Sequence, residues 1–135
     1  MPARKHAELL LRKAAQDEFT LDKLITDPDA PDEVIGFHAQ QAVEKMLKAV
    51  LALRSVRYRR THDLVELIDA LRDNGIVFPN ELEEVRLLGP FATEYRYDDL
   101  PCDGAPPVDR EWIRECIRRT RSWAEKEMAE SVGSE

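Results

Sequence analysis

The chain has 135 residues, 43% of them apolar and 35% charged, with a formal charge of -7 at pH 7. Its length suits one domain, read here as residues 1–130 with a flexible tail over 131–135. The apolar share is enough to build a core and excludes a disordered chain. The acidic balance excludes a general DNA-coating protein, which needs an excess of Lys and Arg, and leaves room only for a local basic patch.

In chain order, Ala7, Leu10, Leu11, Ala14, Ala15, Phe19, Leu21 and Leu24 keep helical spacing and predict a first helix from Ala3 to about Ile25. "TDPDAPDE" closes it. Pro31, Asp32 and Glu33 suit the first turn of a second helix, because carboxylates favour the positive end of the helix dipole. That helix runs to about Leu53, with Ile35, Ala39, Ala42, Met46, Ala49, Val50 and Leu53 on its apolar face. "RSVRYRR" is a basic connector, and Thr61 is expected to cap a third helix that starts near His62 and buries Leu64, Leu67, Ile68 and Leu71. Asn74-Gly75 supplies the left-handed residue that ends it. A fourth helix is expected from about Pro79, with an interruption at Gly89-Pro90, then a loop at "PCDGAPP". The last helix, about Asp109 to Met128, buries Ile113, Cys116, Ile117, Thr120, Trp123, Ala124 and Met128, with Arg110, Arg114, Arg118 and Arg121 on another side. No strand pattern of useful length occurs, so the expected fold is all-α, an up-and-down antiparallel bundle of about five helical segments.

Cys102 and Cys116 belong to no CxxC or Cys/His cluster, so no metal site is expected, and whether they form a disulfide stays open. The N-terminal "MPARKHAELLLRKAAQ" interrupts its apolar residues with charges, unlike a signal peptide or a membrane span, and the cytoplasm is the expected location.

Three stretches carry candidate chemistry. On the second helix, His38, Gln41, Lys45 and Lys48 follow steps of three and four residues along a strip beside the apolar face. Such a strip is either a solvated flank, with Glu44 pairing Lys48, or the wall of a cleft. Arg54, Arg57, Arg59 and Arg60 precede His62 at a helix start, where an anion is favoured, although arginines beside an acidic chain also serve simply as a solvated stretch. In "EYRYDD", Arg96 has the fork to grip a phosphate and Tyr97 the ring to stack on a base; the alternative is an Arg–Asp pair that pins the loop.

"FHAQQAVEKMLKAVL", "THDLVELIDAL" and "EYRYDD", in that order and at these separations, resemble the HEPN domain, the nucleotide-binding domain of higher eukaryotes and prokaryotes, over roughly residues 5–125. The third motif departs from the usual Arg-Tyr-Pro-Asp by placing Asp98 where proline is expected. The resemblance implies a helical bundle, frequent homodimerisation and a polar cleft for nucleotide or RNA. Carried onto this chain it marks His38, Gln41, Lys45, Thr61, His62, Asp63, Arg96 and Tyr97 as ligand-binding candidates.

One branch of the family consists of metal-independent ribonucleases with an Arg-x4-6-His motif. Another works beside a minimal nucleotidyltransferase, sometimes as a toxin–antitoxin pair. Arg57 and His62 satisfy Arg-x4-His literally, but the motif belongs to the segment holding Arg96, after which no histidine follows. The expectation is therefore a dimeric nucleotide- or RNA-binding module without cofactor, with a minimal nucleotidyltransferase as candidate partner. The alternatives are a ribonuclease using Arg96 with His62 or His38, and a structural helical adaptor.

Overall fold

The computed structural model describes residues 2–92 and 108–133. Within them lie α1 (Pro2–Ile25), α2 (Asp32–Leu53), α3 (Leu64–Asp73), a 3-10 segment (Asn80–Phe91) and α4 (Arg110–Gly133), with no strand among the described residues. This is the all-α helical bundle that the periodicity predicts. None of its helices is long and apolar enough to cross a membrane.

α2 organises the bundle. It buries 13 of its residues, among them Val43 and Leu47 outside the predicted apolar face, and it contacts each of the other four elements. A helix this apolar around its circumference belongs in an interior. Each fully buried Leu or Val of its core contributes about 1.5–3 kcal/mol relative to an exposed one. Ala7, Ala49, Leu53 and Met128 form a separate small cluster joining α1, α2 and α4. The stripes predicted for α3 and α4 are buried as expected. On α1 the expectation is corrected: Ala15 and Phe19 are exposed, because α1 packs against α2 through the narrower row Ala7, Ala14, Leu21 and Ile25.

The predicted fourth helix is a 3-10 segment without a break at Gly89-Pro90. Its buried residues, Leu82, Val85 and Leu88, recur at every third position. A three-residue turn stacks such residues on one side, whereas an α-helix would rotate them away from the core. Phe91, which ends the segment, lays its ring over Gly36 of α2, where even a methyl group would lie 2.3 Å from a ring carbon.

Two helix ends share one geometry. At the end of α3, Ile76 donates to the Leu71 carbonyl at 2.9 Å and Gly75 to Arg72 at 3.1 Å, with Gly75 at φ 76. At the end of α2, Val56 donates to Leu51 at 2.9 Å and Ser55 to Ala52 at 3.0 Å, with Ser55 at φ 56. Both are the paired-bond stop that needs a left-handed residue. The second reverses the connector, which then returns beside α2. The C-terminal end of α1 is held by Arg110, whose guanidinium donates to the carbonyls of Ile25 at 3.0 Å, Asp27 at 2.7 Å and Ala30 at 2.9 Å. These include carbonyls that a helix end leaves without an internal partner.

Candidate functional site

Because α2 is buried around most of its circumference, its polar side chains must find partners inside the protein. His38 lies 3.2 Å, through Nδ1, from Oδ1 of Asp17 on α1, and the Lys45 ammonium donates to the other oxygen of the same carboxylate. Asp17 is largely buried and binds both α2 residues to α1. The front of the polar strip is thus an interhelical lock.

Interleaved with it along α2 is a second cluster, centred on Glu44, whose side chain is only 5% exposed. Gln41 donates to the carbonyl oxygen of the Gln40 side chain at 2.7 Å, and the Gln40 amide donates to Glu44 Oε1 at 2.9 Å. Lys48 donates to Glu44 Oε2 at 2.8 Å, the pair expected from their four-residue spacing. His62 brings Nδ1 to 3.0 and 3.1 Å from the two carboxylate oxygens. The Gln40 amide also donates to the backbone carbonyl of His62 at 3.2 Å. Burial, and after it the charge of Glu44, pushes the Tyr58 hydroxyl of the returning connector above its usual range.

The structure sorts the connector arginines. Arg54 pairs with Glu127 at 3.4 Å, and Arg59 makes a two-pronged pair with Glu66 at 3.1 and 2.7 Å. Arg57 and Arg60 are exposed and have no ion-pair partner among the described residues. The expected cap is corrected by two positions: Asp63, not Thr61, caps α3, accepting from the backbone of Val65 at 3.0 Å and of Glu66 at 3.3 Å. Thr61 is buried and accepts from the Asp63 backbone at 3.0 Å. The Thr61 hydroxyl is taken up by the Asp63 N–H, and the Asp63 carboxylate meets the first free N–H groups of the helix, so the positive end of α3 already holds an anion.

Of the predicted site residues, His38 and Lys45 meet at Asp17, while Gln41 and His62 join through Gln40 and Glu44. Thr61 and Asp63 shape the start of α3, and Arg96 and Tyr97 lie outside the described residues, as does Cys102. Sequence reasoning missed Asp17, Gln40 and Glu44 as site residues. For Gln40 and Glu44 a signal existed: they occupy buried positions on the most apolar helix, where an unpaired polar group is costly. Asp17 carried none, since its partners lie 21 and 28 residues away.

The α4 arginines serve elsewhere. Arg118 and Arg119 share Glu115 and hold its carboxyl below the usual range, and Arg121 pairs with Glu18 of α1. Among the described residues no group of three metal-ligating side chains converges.

A helical bundle with a polar strip on its central helix, and a third helix opened by Thr61, His62 and Asp63, is the arrangement expected of a HEPN domain. The chain matches the HEPN domain family over residues 7–128 and belongs to it. A stretch of 56 residues, 42% of this chain, is 39% identical to a protein of Methanocaldococcus jannaschii called "Putative toxin MJ1304", and covers 36% of that protein's length. No solved structure matches the chain.

Proposed function

We propose that this HEPN domain is a binding module for a phosphate-bearing ligand, a nucleotide or an RNA, at the edge where the connector returns past Glu44. The observation that carries this reading is His62: its side chain is 47% exposed, yet it is held by buried residues and follows Arg57 and Arg60, which are exposed and have no ion-pair partner among the described residues. Exposed guanidiniums can meet phosphate oxygens, and in a chain of charge -7 such a patch acts only locally and weakens with salt. Arg96 and Tyr97 complete the site in this reading, as the family resemblance implies. Asp63 already occupies the positive end of α3, so the affinity comes from side chains rather than from the helix dipole.

The same proposal includes a homodimer, for which exposed Leu9 and Phe19 on α1 supply apolar surface, and a minimal nucleotidyltransferase as partner in the cytoplasm. The relative called a toxin supports a toxin–antitoxin-like role. A second reading, a metal-independent ribonuclease, is favoured by one observation, the carboxylate of Glu44 against the His62 ring.

Anisotropy of a fluorescein-labelled oligoribonucleotide tests the binding reading. Arg96→Ala should cost about 1.5–3 kcal/mol of affinity, the range of a charge-assisted hydrogen bond, and Arg57→Ala with Arg60→Ala should flatten the salt dependence. Equal affinity in all variants would place the ligand elsewhere. Cleavage in chelator that disappears in both Arg96→Ala and His62→Ala would replace the binding module with a ribonuclease.

A further inference from the structure

α2 grips His62 at two points. Gln40, fully buried, holds its backbone carbonyl, and Glu44 holds its ring. The Glu44 oxygens are each already met by another donor, Gln40 on Oε1 and Lys48 on Oε2. A carboxylate so surrounded acts as an acceptor, and the ring atom it faces must carry a hydrogen. The opposite tautomer would aim the Nδ1 lone pair at two carboxylate oxygens. The order of donors is consistent from Gln41 through Gln40 to Glu44, so the orientation of each amide is determined by its neighbours.

We infer that Glu44 and Gln40 are positioning residues of the ligand site: Glu44 locks the His62 ring in the Nδ1–H form, Gln40 fixes the backbone that carries it, and Nε2 is left as the ring atom available to a ligand. The inference rests on the proposed ligand site at this edge. A neutral His62 then presents an acceptor at Nε2, suited to a ligand hydroxyl, and a protonated one presents a donor, suited to a phosphate oxygen. Of the charged and titratable groups, Glu44 meets the ring, Lys48 and Tyr58 act on Glu44, and Arg60 and Asp63 flank His62 in the chain. His38 does not share this arrangement. It is less exposed, at 24% against 47%. Restricting an exposed ring in this way lowers the entropy cost of ligand contact, which is what a second layer of hydrogen bonds does for a binding residue.

The test uses the full chain with nitrogen-15-labelled histidine. In wild type, the ring nitrogen shifts of neutral His62 should report the Nδ1–H form, and in Glu44→Gln that form should lose its dominance. With the fluorescein-labelled oligoribonucleotide, Glu44→Gln and His62→Ala should each weaken binding about tenfold, as for the loss of one charge-assisted contact. The pH dependence of binding seen in wild type should change in Glu44→Gln and vanish in His62→Ala. Should Glu44→Gln unfold, Gln40→Leu carries the test, since it releases the His62 carbonyl while leaving Nδ1 opposite Glu44; the tautomer should persist and binding should weaken. An Nε2–H tautomer in wild type overturns the inference, as does unchanged binding in Glu44→Gln or Gln40→Leu. Absence of binding by wild type sinks the proposed ligand site instead, and the tautomer still decides how His62 is held.

Discussion

Replacing Asp17 with Asn decides whether His38 and Lys45 serve the fold or a ligand. The carboxylate is 13% exposed and accepts from two α2 side chains, His38 and Lys45, that are 24% and 25% exposed. A hydrogen bond to a charged group contributes about 1.5–3 kcal/mol. Water reaches both donors in part and replaces some of what is lost, so the expected cost is about 1.5–2.5 kcal/mol, below the 3–5 kcal/mol of a fully buried broken pair. Urea unfolding followed by circular dichroism should show the midpoint lowered by about 1 M for a typical slope of 1–3 kcal/mol per M, with the slope unchanged. Oligoribonucleotide affinity should hold or rise, because the substitution loosens the Lys45 ammonium and the His38 ring from their shared partner. An unchanged urea midpoint would refute the lock. So would a Lys45→Ala variant of wild-type stability that binds the oligoribonucleotide about tenfold more weakly, because Lys45 would then be spending its charge on the ligand.

Arg110→Ala should cost about 2–3 kcal/mol in thermal unfolding, since it strips a charged donor from several carbonyls at the end of α1; a loss under about 0.5 kcal/mol would show that water replaces it. Ser55→Gly should raise stability by about 0.5–1 kcal/mol, because Ser55 holds φ 56 with a side chain that glycine lacks, and a lower melting temperature would contradict this. Burial pushes the Cys116 thiol up to about 12, so in a Cys102→Ser background it should ignore a thiol reagent at pH 8.5 until urea is added. The sign for stability follows: the folded pKa is raised, the unfolded thiol ionises first, and Cys116's contribution is lost as pH climbs from about 9 towards 12. Unfolding midpoints independent of pH in that window would contradict it.

The helical elements of this protein are legible in its sequence. Spacing of three and four residues between apolar side chains is a local property, and it located the four long helices, the stripes of α3 and α4, and the glycine that stops α3. Motif order was likewise enough for the HEPN assignment. It misjudged the segment after Pro79, although the uniform step from Leu82 to Val85 to Leu88 was there to be read, and it named the wrong residue as the cap of α3. The partners of the polar strip on α2 emerge only from packing. Asp17 meets His38 and Lys45 because α1 packs along α2, and Glu44 meets His62 because a left-handed turn at Ser55 sends the connector back beside the helix. Partners separated by about twenty residues leave no periodic trace, since pairing across helices depends on how two surfaces are rotated against each other. That rotation is set by the whole apolar core and not by the neighbours of any one residue.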